Sequence, residues 1–235
     1  MPYTSCVGAA GDVHWGYTGA GAPDHWGELS REFRACSEGK NQSPIDLNGF
    51  IEADLPPIDL AYQPGGAEVV NNGHSIQVNY LSGSALSVDD RRFELQQFHF
   101  HAPSENHVQG SAFPMEAHLV HADGEGNLAV IAVMFEEGTA NAALQEIWAA
   151  MPDEPGRKAA LPAKKVLAGG ILPAQRDYYR FNGSLTTPPC SEGVWWLVMK
   201  EPVSVSKAQI EQFEQIMGHP NNRPIQPVNA RPILK

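Results

Sequence analysis

Gln97-Phe98-His99-Phe100-His101 is the run on which the reading of this chain turns, and Glu116-Ala117-His118-Leu119-Val120 is its counterpart. Successive side chains of a strand point to opposite faces, so Gln97, His99 and His101 share one face and Phe98 and Phe100 the other. By the same parity Glu116, His118 and Val120 lie together. Laid side by side, the two strands bring three imidazoles to one place, with Gln97 and Glu116 a step behind them. Burying those two polar side chains is costly unless they are paired. Accepting an imidazole N–H would pair them and orient the rings. Three histidines with an open fourth position form the donor set of a catalytic zinc. His118 and His121 are three residues apart, so one strand cannot present both to the same site. Glu116 favours His118, which leaves His121 as a hydrogen-bonded core or edge histidine.

Around this pair, residues 67–136 read as β: Ser75–Leu81, Ala85–Val88, Phe93–His101, His118–Val120 and Leu128–Phe135 are separated by Gly, Asp and Asn turns. The unbroken apolar run Leu128–Phe135 predicts a central strand covered on both faces. No crossover helices separate the strands, so a largely antiparallel, meandering sheet is expected. Asn141–Met151 predicts a helix ended by Pro152, and Ser206-Lys207-Ala208-Gln209 a capping box opening a helix to Met217 with Gly218 as its stop. Residues 152–177 hold four prolines and are expected to form a surface connection. Residues 1–40 lack periodicity and read as an irregular arm. The expected fold is mixed but β-dominated: a single domain over residues 1–235, with a large twisted, mainly antiparallel central sheet and a few short peripheral helices.

Composition narrows the function. The chain has 235 residues, 42% of them hydrophobic, and a formal net charge of −11 at pH 7. That charge argues against nucleic acid, whose phosphates need Lys and Arg. No apolar run is long enough to span a bilayer, no polybasic cluster marks a membrane surface, and residues 1–6 have no leader pattern. Cys6, Cys36 and Cys190 lack metal spacing and allow three pairings.

Two further stretches carry chemistry. His99-Phe100-His101 with Glu105 also matches the His-x-His-x3-Glu core of cupins, which would make Glu105 a ligand for iron or manganese and the reaction an oxygenation. A cupin would have Gly where Ala112 stands and a second Pro-x-Gly-x2-His module, and this chain has neither. Ser184-Leu185-Thr186-Thr187-Pro188-Pro189-Cys190 cannot continue a ladder, since prolines remove donors. It is either a structural turn or a rigid loop holding a hydroxyl over a reaction site.

Read together, Trp15-Gly16-Tyr17, Asn41–Ile45, Asn72-Gly73-His74, Gln97–His101, Glu116–His121, Ser184–Pro189 and Asn221-Asn222-Arg223-Pro224 make the chain resemble the α-class carbonic anhydrases nearly end to end. The bacterial, secreted branch fits best. The resemblance implies Zn2+ held by His99, His101 and His118, with Gln97, Glu116 and the backbone orienting the rings. It also implies reversible hydration of carbon dioxide to bicarbonate and a proton by zinc-bound hydroxide. Thr186 would pass its hydrogen bond to Glu105, so Glu105 supports the site without ligating metal. Val120, Val130, Leu185 and Trp196 would form the apolar wall for carbon dioxide, and Thr187 would contact bicarbonate. His74 would shuttle the proton along waters ordered by Tyr17, Asn72 and Gln77, titrating near neutrality. Asn221 belongs to the supporting set.

The family also implies a Cys36–Cys190 disulfide, and with it a periplasmic or secreted home. It further implies cis peptides at Ser43-Pro44 and Pro188-Pro189, sulfonamide and anion inhibitors, and dimerisation in the bacterial branch, so that a homodimer is one expectation. Cys6 has no family partner. Asn106 and Gln77 depart from common family residues. A catalytically silent binding module on the same fold is the remaining alternative, and the retention of all three histidines speaks against it.

Overall fold

The computed structural model describes residues 13–235, so Cys6 lies outside the described residues. In chain order the strands are β1 (Asp46–Leu47), β2 (Asp59–Ala61), β3 (Gly66–Asn71), β4 (Ile76–Tyr80), β5 (Ala85–Val88), β6 (Arg91–His101), β7 (His107–Val108), β8 (Met115–Ala122), β9 (Leu128–Glu137), β10 (Lys158–Ala160), β11 (Tyr178–Ser184), β12 (Glu192–Met199) and β13 (Val203–Val205). The α-helices are α1 (Trp26–Leu29), α2 (Ala35–Glu38), α3 (Gln145–Ala150) and α4 (Lys207–Met217). Eleven strands form one sheet whose main path is β10-β3-β4-β6-β8-β9-β12-β11. Its pairs are antiparallel except where β12 and β13 run parallel to β9. This is the single, sheet-dominated domain expected from the sequence, and among the described residues no helix is long and apolar enough to cross a membrane.

The apolar run Leu128–Phe135 lies at the centre as β9, buried from Ala129 to Phe135 on both faces. One face of the sheet packs Phe98, Phe100, Leu119, Ile131 and Leu197 against α3 and α4 side chains such as Trp148 and Phe213. The other face carries the histidines and a second cluster around Val130, Trp196 and Phe181.

A bulge between Leu95 and Gln97 shifts the register of β6 against β8. Strict alternation would put Leu95 on the face of Gln97. The bulge lets Phe93 and Leu95 join Phe98 and Phe100 in the core while Gln97 turns to the histidine face.

The helix expected over Asn141–Met151 begins as a 3-10 turn at Ala142–Leu144, with the Asn141 side chain accepting from the Ala143 N–H, and becomes α3. Met151 has extended backbone because Pro152 follows it. α4 carries the capping box at Ser206 and a left-handed Gly218, as its sequence signals require. Residues 152–177 differ from the expected surface connection. Leu161, Val166, Ala168, Ile171 and Leu172 are buried in the core, and β10 pairs with β3. Their apolar side chains fall without period between prolines, so no alternation marks them as core. The segment 13–40 is irregular yet anchored by Trp26, fully buried against the Cys36–Cys190 disulfide. Cis peptides occur at Ser43-Pro44 and Pro188-Pro189, and also at Ala102-Pro103, which nothing in the sequence singled out.

Candidate metal centre

Antiparallel pairing sets His99 directly opposite His118 and His101 opposite Glu116. Opposite residues share a face, so the three imidazoles converge. Each ring is held by one nitrogen. His99 Nδ1 lies 2.9 Å from Gln97 Oε1, His101 Nδ1 is 2.7 Å from the Asn221 carbonyl, and His118 Nε2 is 2.8 Å from Glu116 Oε1. With those N–H groups donating, the nitrogens left over are His99 Nε2, His101 Nε2 and His118 Nδ1. One ligand nitrogen from each residue falls in a group with all members within 4.8 Å of one another.

His101 Nε2 is buried with no hydrogen-bond partner among the described residues. A buried nitrogen lone pair left unpaired is costly. Burial, with the neighbouring histidines, pushes His99 and His118 well below the usual imidazole range, and burial lowers His101 against the Asn221 carbonyl and Glu116. The rings are therefore neutral, which is the form that ligates metal. Three neutral imidazoles, each with a fixed tautomer and one open nitrogen, fit a zinc-like divalent ion with a free fourth position.

Behind the rings, Glu116 is saturated. Its oxygens accept from His118, from the Asn106 side chain at 2.7 Å, and from the backbone N–H groups of Glu105 and Asn106 at 2.7 and 2.8 Å. Burial raises its pKa, against these donors. Glu105 Oε1 accepts from the Arg223 N–H at 2.8 Å, while Oε2 has no partner in hydrogen-bond geometry and sits 3.5 Å from His101 Nε2 and 3.8 Å from His118 Nδ1. Burial pushes Glu105 up to about 8, and the Arg223 N–H and the neighbouring Thr186 hydroxyl pull the other way.

Asn106 and Arg223 are the residues that sequence reasoning underused. Arg223 is buried, donating to Gln42 Oε1, the Ser43 carbonyl and the Cys36 carbonyl while stacking its charge over Trp26. It ties Gln42 and Ser43, the disulfide at Cys36, and Glu105 together. Its place in the Asn221-Asn222-Arg223-Pro224 run of a proline-rich tail was the available signal.

Val120, Val130 and Trp196 lie in one row across β8, β9 and β12, continuing the row from Gln97. Leu185 packs with them, and Trp196 meets His118 edge-on at 4.9 Å. Thr186 is buried at the start of the loop, and the Thr187 carbonyl accepts from the Cys190 N–H across the cis Pro188-Pro189 step.

Asn72 Oδ1 accepts from the His74 and Ser75 N–H groups, its Nδ2 reaches Gln77 at 3.4 Å, and Gln77 pairs opposite His99. The Tyr17 hydroxyl is buried without a hydrogen-bond partner among the described residues, and its pKa is raised by burial and by Glu105. His74 differs from expectation. Its ring stacks on Trp15 at 3.7 Å, and burial, then His14 and His219, lower its pKa to about 4. His121 lies on the opposite face, bonded to Tyr62, outside the cluster.

The family model described as "Eukaryotic-type carbonic anhydrase" matches residues 21–235. The carbonic anhydrase of Pectobacterium atrosepticum is 49% identical, over 96% of this chain and 92% of the relative. That of Neisseria gonorrhoeae is 49% identical, over 95% of this chain and 88% of its own length. The α-carbonic anhydrase of Thermovibrio ammonificans, solved with the inhibitor sulfanilamide, superimposes with a TM-score of 0.93 at 51% identity, covering 96% of this chain and all of that one.

Proposed function

The chain belongs to the eukaryotic-type, or α-class, carbonic anhydrase family, and from that premise we propose that it hydrates carbon dioxide reversibly with zinc held by His99, His101 and His118. The observation that carries the choice of metal site is the convergence of three open, neutral imidazole nitrogens, one of them buried without any other partner. Membership of this family removes the cupin reading, and the enzyme-bearing relatives remove the silent module as the leading one. Bound zinc would supply Lewis acidity that lets a water ionise at a pKa of about 7, a value general to carbonic anhydrases.

The protein's own groups do the rest. Gln97, Glu116 and the Asn221 carbonyl hold the three rings at fixed tautomers, which keeps their free nitrogens on one point. Glu105 Oε2, the buried acceptor without a partner, takes the Thr186 hydroxyl proton as a hydrogen bond. That leaves the Thr186 oxygen to accept from the reacting water and turn its lone pair toward the substrate. Carbon dioxide is small and non-polar, so Val120, Val130, Leu185 and Trp196 seat it by apolar contact alone. Thr187 stands at the loop edge where bicarbonate leaves. Protons depart past Tyr17, Asn72 and Gln77 toward His74.

Sulfonamides and anions are expected to inhibit at the same centre. The Cys36–Cys190 disulfide supports an oxidising compartment, periplasmic or extracellular. A homodimer belongs to the same proposal. Stopped-flow hydration of carbon dioxide by zinc-loaded and chelator-stripped protein tests the reading, alongside elemental analysis. Activity is expected with zinc and lost without it. Activity indifferent to stripping, or iron or manganese in place of zinc, overturns the proposal.

A further inference from the structure

At the rim of the site, His14, Trp15, Tyr17, Gly73, His74 and His219 line one cleft of about 360 Å³. The family resemblance implies His74 as the proton shuttle, on waters ordered by Tyr17, Asn72 and Gln77. Yet the His74 ring is stacked flat on Trp15 and depressed by its surroundings. His219 faces the same cleft with a tautomer already set. Its Nδ1 donates to the Pro220 carbonyl at 2.9 Å, which leaves the lone pair on Nε2.

The position of His219 is built, too. It follows the left-handed Gly218 that ends α4 and precedes Asn221 by two residues. Asn221 gives its carbonyl to His101, and its side-chain amide donates to the His74 carbonyl at 3.0 Å. One short segment therefore registers the His219 imidazole against both the metal centre and the His74 turn. Tyr17 bridges the remaining distance. Its ring lies 6.0 Å from His219, and its buried, unpartnered hydroxyl is near enough to Glu105 to feel its charge. The titratable groups around the cleft are His14, His74, Tyr17 and His219 itself.

We propose that His219 is a second proton acceptor of the hydration cycle, working across the cleft from His74. The inference rests on the carbonic anhydrase reading and adds an exit to it. Each hydration yields one bicarbonate and one proton. That proton crosses the waters of the cleft, binds His219 Nε2 to give an imidazolium, and is lost from the same nitrogen to buffer. Nδ1–H stays on the Pro220 carbonyl throughout, so the ring returns to its starting tautomer without rotating.

The test uses the zinc-loaded full chain in steady-state hydration at low and at high buffer concentration. Exchange of labelled oxygen between carbon dioxide and water at equilibrium is measured beside it, because the two readouts separate interconversion from proton delivery. His219→Ala is expected to lower turnover by about ten-fold in dilute buffer, less than a lone general base would supply because His74 remains. Concentrated buffer or free imidazole restores it, and interconversion of carbon dioxide and bicarbonate does not change. His74→Ala combined with His219→Ala falls below either alone, while His25→Ala, outside the cleft, matches the parent. His219→Ala equal to the parent in dilute buffer overturns the proposal, as does a deficit that neither buffer nor imidazole restores. A zinc-loaded parent with no hydration activity would instead remove the reading on which the proposal rests.

Discussion

Lowering the pH tests the buried His121–Tyr62 pair. The His121 ring is fully buried beneath the sheet, its Nε2 2.5 Å from the Tyr62 hydroxyl and its Nδ1 3.2 Å from the Ala129 carbonyl. Those partners satisfy a neutral ring whose Nδ1 donates and whose Nε2 accepts. A second proton would meet the Tyr62 hydrogen with no water to solvate the charge. Burial accordingly lowers the pKa to about 4 from 6.5, with the Ala129 and Leu119 carbonyls opposing it. Because the folded value lies below the unfolded one, the stabilising contribution is complete above pH 6.5 and is lost as pH falls toward 4. At roughly 1.4 kcal/mol per unit, the full span is worth about 3 kcal/mol. Urea denaturation of zinc-loaded protein at a series of pH values, for the parent and for His121→Gln, isolates this group, since carboxylates and metal ligands titrate alike in both. The variant is expected to be less stable at neutral pH, with its disadvantage shrinking by about 2–3 kcal/mol on reaching about pH 4.5. Parallel stability curves for the two proteins refute the reasoning.

Three further outcomes follow from the packing. Replacing Cys36 and Cys190 by Ser opens a bridge across 154 residues, for which the chain-entropy model gives a loss of up to about 5 kcal/mol; chemical denaturation measures it, and a loss below about 1 kcal/mol would show the bridge to be incidental. Glu116→Gln keeps the shape but leaves the Asn106 and backbone donors facing a neutral amide. Zinc affinity should fall by roughly 10–100-fold in competition with a chelator, and unchanged affinity would deny Glu116 its orienting part. Gly183→Ala would place a Cβ 2.1 Å from Ser43 Oγ and 2.9 Å from Trp196 Cδ1. A stability loss of about 1–3 kcal/mol is expected from calorimetry, and a neutral effect would mean that β11 and the Ser43 turn separate freely.

Strand parity determined the site from the sequence alone. His99 and His101 share a face because alternate residues must; an odd spacing keeps His118 and His121 on opposite sides of a sheet, and Glu116, on the face of His118, favours that one. The apolar run Leu128–Phe135 and the capping signals at Ser206 and Gly218 were equally local, so β9 and α4 were legible. What the sequence left undecided depended on partners far away along the chain. The bulge at Gln96 appears only where β6 meets β8, although Phe93 and Leu95 on odd numbers and Phe98 and Phe100 on even ones already required a slip. The burial of residues 152–177 depends on a surface that the rest of the sheet provides. The roles of Asn106 and Arg223 arise from hydrogen bonds to Glu116, Gln42, Ser43 and Cys36, a set no spacing rule brings together. The state of His74 is the clearest case. Its side chain has an ordinary pKa near neutrality, and burial, then the neighbouring His14 and His219, lower it, because desolvation and like charge are properties of the folded cleft.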